Sequence, residues 1–191
     1  MRISAVVLAA GESRRFGRNK LEVRVKGRGL LEHVISAAVN SLVDDVVCVT
    51  HSIRGHSTMG SKMISYVSPS GELLSDSLKA GLETVSLFSD AVVILLGDMV
   101  CVKSYLINTL ISIYYAHPGD PIASRRDGLL IPPILIPRRY FPLLLKLKGD
   151  AGARYLIRRM NGVRAVNITN IEALDIDVQE DLELFHKCED V

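Results

Sequence analysis

The feature that most constrains this chain lies at its start. The apolar run from Ile3 to Ala9 gives way to a basic, glycine-punctuated loop that closes at Lys20, reading ISAVVLAAGESRRFGRNK from Ile3. A short apolar run that stops at turn residues reads as a buried strand. A buried strand feeding a Gly-rich basic loop is how α/β proteins build a phosphate site: glycines let backbone N–H groups approach the anion and cations neutralise it. Gly11 and Gly17 are the hinges here, and Arg14, Arg15, Arg18 and Lys20 the cations. A plain strand-to-loop turn with solvated arginines has the same composition, so that alternative stays open. Two common phosphate loops are excluded. A P-loop needs a hydroxyl residue after its lysine, and Leu21 stands there. The dinucleotide fingerprint needs G-x-G-x-x-G, a spacing that Gly11 and Gly17 do not have.

The rest of the chain alternates in period. Leu30–Leu42 has apolar residues at helical spacing, Asp45–Thr50 is a β-branched run, and Ile64–Val67 reads as a further strand. Leu73–Phe88 reads as a helix, Ala91–Leu96 as a buried strand and Lys103–Ala116 as a helix. This rhythm predicts a mostly parallel sheet covered on both faces, a single-domain three-layer α/β architecture over residues 1–191. Ligands in such sheets bind outside the carboxyl ends of the strands. The loop after Ala9 and the Gly97-Asp98-Met99 turn after Leu96 therefore fall on one crevice. Beyond Ala116 the pattern changes. Pro121–Arg126 and Leu129–Pro137 read as strands joined by a hairpin turn at Asp127-Gly128. Pro132 and Pro133 donate no ladder hydrogen bond, so the second strand must be bulged or at an edge. Tyr140–Leu147 and Asp150–Met160 read as helices, Val163–Ile168 as a strand and Val178–Lys187 as the final helix.

Composition excludes several classes. Lys and Arg total 23 against 21 Asp and Glu, a net charge of +2, which argues against a nucleic-acid binder working by bulk charge. No apolar run approaches a membrane span and no secretory leader is evident, so the cytoplasm is the default expectation. Cys48, Cys101 and Cys188 form no C-x-x-C pair, and neither a zinc site nor a disulfide framework is suggested. Cys48 and Cys101 sit in apolar surroundings and are expected to be inert buried thiols. His51 and His56 have no acidic or cysteine partners at metal spacing, and His33 lies on a helix face.

Two carboxylates stand out. Asp98 ends a buried strand, where it is placed to hold Mg²⁺ against phosphates or, equally, to bond its own turn backbone. Asp177 precedes the last helix with Glu180 three residues on, and on residue pattern alone the capping role is the stronger reading.

The loop LAAGESRRFGRNK resembles the signature LA[AG]G-x-S-x-R-[MF]-G-x-x-K of the MobA-like nucleotidyltransferases. The alanine form is most similar to the molybdenum cofactor cytidylyltransferase branch, whereas the guanylyltransferase branch reads LAGG. GDMV matches the family's GDMP, and DIDVQEDL its DIDTPEDL. The resemblance implies a Rossmann-like fold of the nucleotide-diphospho-sugar transferase type. It implies that Asp98 and Asp177 hold Mg²⁺, with Asp175 as the fallback, and that Lys20 and Arg15 meet the triphosphate, with Lys20, Arg15 and Asp98 catalytic. Leu8, Ala9, Ala10, Gly11, Ser13 and Gly17 are implied to form the nucleotide loop. Ser75 and Ser77, from SGELLSDSLKAGL against the family's G-M-S-S-S-L-x-x-G-L, are implied to contact base and ribose; the family glycine falls on Leu73. PPILIPRRYFPLLLKLKGDAGARYLI resembles the family's acceptor segment, GHPVLFPRRLFPELLALKGDKGARALL. Gly149, Asp150, Gly152 and Arg154, together with Arg138 or Arg139, are thereby implied to face a molybdopterin-type substrate.

The implied activity is Mg²⁺-dependent transfer of a nucleoside monophosphate, CMP from CTP with GTP as the alternative, to the phosphate of molybdopterin, with an apo-molybdoenzyme as a further partner. Rival readings are transfer to a sugar or cobinamide phosphate and a non-catalytic cofactor carrier. A loop lysine such as Lys20 is expected to carry little stability of its own.

Overall fold

The first strand lies in the middle of the sheet, which is why its C-terminal loop can meet residues from both flanks. The structure, a computed structural model, describes residues 1–11, 16, 20, 23–85, 87–178 and 180–185. In chain order these form β1 (Ile3–Leu8), the short β2 (Arg24–Val25) and β3 (Arg28–Gly29), α1 (Leu30–Val39), β4 (Asp45–Val49), β5 (Gly55–Met59) and β6 (Lys62–Val67). Then follow α2 (Leu74–Val85), β7 (Ala91–Leu96), α3 (Ser104–Ala116), β8 (Ile122–Arg126), β9 (Leu129–Pro137), α4 (Phe141–Leu145), α5 (Ala153–Ile157), β10 (Arg164–Asn167) and α6 (Asp181–Leu184).

Eight strands make one sheet in the order β10-β8-β9-β7-β1-β4-β6-β5. The pairs β1–β4, β1–β7, β4–β6 and β8–β10 are parallel. The pairs β5–β6, β7–β9 and β8–β9 are antiparallel. β1 is paired along its length with β7, from Ile3↔Ala91 to Leu8↔Leu96, and every one of its residues is buried.

Alternation along β1 divides the interior in two. Ile3, Ala5 and Val7 point into a core closed by Val34, Ile35 and Ala38 of α1 and Leu106, Ile107 and Leu110 of α3. Val6 and Leu8 point into the opposite core, closed by Leu78 and Leu82 of α2, Phe141 and Leu144 of α4 and Ile157 of α5. The expected three layers are therefore present. α2 lies close enough on the sheet that a Cβ at Gly81 would come within 2.4 Å of Val6 and 3.1 Å of Val49, so glycine is required there. A third cluster joins Phe16, Val23, Leu30, Val100, Cys101, Ile176 and Phe185, packing the glycine loop, the segment after β7 and the C-terminal segment together.

Several expectations shift. β9 is an interior strand, so its prolines are resolved by a bulge: Ala123 pairs with Ile134 and Ser124 with Ile131, leaving Pro132 and Pro133 outside the ladder. Ser124 Oγ instead donates to the Pro133 carbonyl at 3.2 Å. Asp127 and Gly128 take φ 49° and 78°, the left-handed pair that a two-residue hairpin needs. β5 carries His56 in a wholly exposed edge strand, where an apolar signal was absent. Cys48 is a buried free thiol as expected, but Cys101 is disulfide-bonded. Its place in the third cluster, against C-terminal residues, is a tertiary proximity that spacing along the chain does not reveal. Among the described residues no helix is long and apolar enough to cross a membrane.

Candidate active site

The carboxyl ends of the central strands are stitched together by their outgoing turns. Ala9 N–H donates to Val49 O at 2.8 Å, Gly97 N–H to Leu8 O at 2.9 Å and Thr50 N–H to Val67 O at 2.9 Å. A side chain at Gly97 would meet the Ala9 Cβ at 3.0 Å, so the turns after β1 and β7 lie against each other only because one of them is glycine. This brings the loop after β1 and the Asp98 turn to one rim, as the strand order predicts.

Lys20 stands between the two candidate carboxylates. Its Nζ donates to Asp98 Oδ2 at 2.9 Å and to Asp177 Oδ1 at 2.9 Å, linking residues 78 and 157 positions away in sequence. Burial works to lower the Lys20 pKa, but the charge and hydrogen bonds of Asp98 and Asp177 outweigh it and hold the pKa above the ordinary value of 10.5. The backbone fixes both carboxylates. Asp98 O accepts the N–H of Val100 at 3.0 Å and of Ile176 at 3.2 Å, so the residue before Asp177 is tied directly to Asp98. The N–H groups of Asp177 and Val178 donate to Asp181 Oδ2 at 2.8 and 2.9 Å. Asp181, not Glu180, is thus the side chain that reaches back over the helix start, and an Asp177 oxygen is turned to Lys20.

The other oxygen of Asp98, Oδ1, is buried and has no hydrogen-bond partner among the described residues. A buried polar atom of this kind is costly unless a ligand or cation meets it. Asp98 and Asp177 could therefore hold a hard divalent cation. Among the described residues no group of three or more His, Cys, Asp or Glu stands ready for a metal. Two carboxylates suit Mg²⁺, which is bound by one or two of them while substrate phosphates and water complete its shell. Asp175 lies near this contact: partial burial, followed by the charges of Asp98 and Asp177, holds its carboxyl above the ordinary range, with Lys20 acting the other way.

Two adjoining cavities open at this rim. The first, about 540 Å³, is lined by Leu8, Ala9, Ala10 and Gly11, by Lys20 and Asp98, and by the α2 entrance from Glu72 to Leu74 with Ser77. The second, about 550 Å³, shares Leu8, Leu74, Leu96 and Asp150 with the first and continues along α5 past Arg154. Ser75 is buried and lines neither; its N–H bonds Gly149 O at 3.1 Å, fastening α2 to the GDAG segment. Gly149 has φ 68° and lines neither cavity, whereas Gly152 lines the second, where a Cβ would lie 2.7 Å from Leu74. Ser13, Arg15 and Gly17 lie outside the described residues.

Arg138 and Arg139 are not brought to this rim. β9 runs antiparallel to β7, so Pro137 pairs with Ala91 at the amino end of β7 while Ile134 pairs with Ile94 near its carboxyl end. Arg138 N–H donates to Asp90 O, at the far end of β7 from the Asp98 turn; the seven residue steps from Asp90 to Gly97 span roughly 23 Å at about 3.3 Å per residue. The structure therefore does not bring either arginine together with Arg154, as the shared motif led one to expect. Conversely, Tyr155, Arg158 and Arg159 line the second cavity and escaped the sequence reading, although their spacing from Arg154 on a helical segment was the available signal.

The chain is similar to known proteins over most of its length. Residues 5–165 match the family model for the MobA-like NTP transferase domain. A relative in Bacillus subtilis, "Purine catabolism protein PucB", is 30% identical over 167 residues, 80% of this chain and 79% of that protein. The "Probable molybdenum cofactor guanylyltransferase" of Thermococcus sibiricus is 25% identical over 184 residues, 93% of this chain and 89% of its own length. Among solved structures, that of Rv0371c from Mycobacterium tuberculosis H37Rv shares the fold with a TM-score of 0.80 at 23% identity, covering 100% of both chains.

Proposed function

This chain belongs to the MobA-like NTP transferase family, and we propose that within it the protein transfers CMP from CTP to the terminal phosphate of molybdopterin, using Mg²⁺. The observation that carries the reading is the Lys20–Asp98–Asp177 contact at the mouth of the nucleotide-sized cavity, with one Asp98 oxygen still unpartnered among the described residues.

In this reading an oxygen of the acceptor phosphate attacks the α-phosphorus of the triphosphate. The bond from the α-phosphorus to the bridging oxygen breaks, and pyrophosphate leaves with the electron pair. The attacking oxygen is already anionic, so no general base is needed; positioning and charge neutralisation do the work. A Mg²⁺ held by Asp98 and Asp177 would supply charge neutralisation on the triphosphate. Lys20 remains protonated at neutral pH and is the described cation beside the loop, placed to meet the phosphates as negative charge grows on the leaving group. Arg15, Ser13 and Gly17 are assigned to the same loop on the family pattern. Ala9, Ala10 and Gly11 close the cavity against the nucleotide, and Ser77 supplies a hydroxyl from α2. Gly149, Asp150, Gly152 and Arg154 belong to the acceptor wall.

The cytidylyl preference rests on Ala10, a residue of the cavity wall where the guanylyl pattern has glycine. GTP is the second reading, favoured by the name of the Thermococcus relative, a probable molybdenum cofactor guanylyltransferase. Incubation with each of CTP, GTP, ATP and UTP, with molybdopterin and Mg²⁺, tests both by pyrophosphate release. CTP giving the highest rate at equal concentration supports the first reading; a higher rate with GTP replaces it with the second.

A further inference from the structure

The second cavity carries more positive charge than transfer to a single phosphate requires. Arg154, Arg158 and Arg159 stand at i, i+4 and i+5 across α5 and its C-terminal turn, and all three line this cavity. Like charges at i, i+4 oppose helix formation unless something neutralises them. None of the three forms an ion pair with a carboxylate among the described residues. Among the described residues, the one acidic residue lining this cavity is Asp150, on the wall shared with the nucleotide cavity.

From this juxtaposition we infer that the second cavity receives an acceptor bearing a second anionic group, distinct from the phosphate that attacks, and that Arg158 and Arg159 recognise it. The inference rests on the nucleotidyl-transfer reading and adds a requirement on the acceptor. The attacking phosphate must reach the triphosphate beside Lys20 and Asp98, and neither of those residues lines the second cavity. An anion at the arginine rim is therefore a different group of the same molecule. Its body lies on the apolar side of the cavity, formed by Leu74, Ile94, Leu96 and Pro132.

Arg159 is ordered in advance for this task. Its guanidinium carbon sits 3.6 Å from the Tyr155 ring centroid, and Nη1 donates to the Tyr155 carbonyl at 3.2 Å. Stacking and one hydrogen bond fix the plane while leaving the remaining N–H groups available for an anion, so little side-chain freedom is lost on binding. Arg158 is placed by its own backbone, whose N–H donates to Arg154 O at 3.4 Å. Both side chains are exposed, so replacing them removes charge without opening the core.

The test uses the full chain with molybdopterin as acceptor, CTP and Mg²⁺, and compares wild type with the double variant Arg158→Ala/Arg159→Ala and with Arg158→Lys/Arg159→Lys. The expected result for the alanine variant is a rise of about tenfold or more in the KM for molybdopterin, the scale of losing a charge-assisted contact. The KM for CTP and kcat stay near wild type, and the acceptor KM becomes less sensitive to salt. The lysine variant recovers part of the loss, because it keeps charge but not the planar fork. An unchanged acceptor KM with normal pyrophosphate release overturns the inference and leaves nucleotidyl transfer standing. A parallel rise in the KM for CTP also overturns it, since the effect then lies in the shared wall. Wild-type protein that releases no pyrophosphate with any triphosphate overturns the reading beneath it, and the inference falls with it.

Discussion

Replacing Lys20 by methionine keeps the length of the side chain and removes its charge. Its Nζ lies 2.9 Å from each of two carboxylates, and the side chains of Lys20, Asp98 and Asp177 are 13%, 22% and 46% exposed. An exposed ion pair contributes about 0–1 kcal/mol, while breaking a buried one costs about 3–5 kcal/mol. The Asp98 contact lies between these limits and the Asp177 contact near the lower one, so Lys20→Met should cost about 1–3 kcal/mol in the metal-free protein. For a chain of this size that is a fall in Tm of roughly 3–10 °C. The lysine is thus more than the stability-neutral loop residue its sequence context suggests. Mg²⁺ should restore much of the lost Tm, because the variant leaves two uncompensated carboxylates that a dication can join. It should not restore turnover, which falls roughly a hundredfold to a thousandfold on the proposal that Lys20 is the cation meeting the phosphates. The pH dependence has a definite sign. A lysine pKa raised in the folded state gives stability that is fully present below 10.5 and is lost as pH climbs through the folded value. On the lysine's account, the gap in Tm between wild type and variant stays flat from about pH 6 to 9 and closes only at higher pH. Differential scanning fluorimetry with and without Mg²⁺, alongside pyrophosphate release, reads all of this. A variant with wild-type Tm and wild-type turnover would refute the reasoning.

Asp98→Asn and Asp177→Asn should each raise the Mg²⁺ concentration for half-maximal activity by about tenfold or more, since each removes charge from the proposed Mg²⁺ site. Asp177→Asn should leave Tm nearly unchanged, because Asp181 is the carboxylate that accepts the N–H groups of residues 177 and 178; unaltered Mg²⁺ titration in both would sink the two-carboxylate assignment. Ala10→Gly should relax the preference for CTP over GTP by no more than the roughly 1–3 kcal/mol that one methyl commands, measured as the ratio of kcat/KM values. Gly81→Ala should destabilise the fold by about 1–3 kcal/mol in urea unfolding, because its Cβ would overlap Val6 and push α2 off the sheet; equal stability would mean that α2 sits more loosely than described. Burial pushes the Cys48 thiol up to about 12, so it should resist alkylation at pH 8 in the native state and react at full rate only after unfolding.

The elements that were legible in sequence are those with a strong apolar period. Ala91–Leu96 falls on β7 residue for residue, and β1, β4, α1 and α3 depart only at their ends. β5 was invisible because Gly55–Met59 is exposed at the sheet edge and carries no apolar pattern. The β2–β3 hairpin was also missed, since each strand has only two residues and its turn relies on positive φ at Lys26 and Gly27. α5 was placed but overextended: Gly149 and Gly152 hold the preceding segment in a loop, and the helix begins at Ala153. At the site, Asp98 could be located from its strand end alone, whereas Asp177 could not be told from a helix cap until Lys20 was seen reaching it across 157 residues. Arg138 and Arg139 misled because they share one motif with Arg154. An antiparallel strand divides that motif between opposite ends of the sheet, and linear proximity carries no information about which end a residue reaches.

The central claim is that a nucleotide's α-phosphate becomes joined to molybdopterin. The direct measurement is incubation of the protein with CTP labelled at the α-phosphorus, molybdopterin and Mg²⁺, followed by separation of nucleotide from acceptor product. The account predicts that label moves into the molybdopterin fraction with one pyrophosphate released per label transferred, and that Lys20→Met and Asp98→Asn both suppress the transfer. Label that stays in CTP while molybdopterin remains tightly bound and unmodified would contradict it and mark the protein as a carrier.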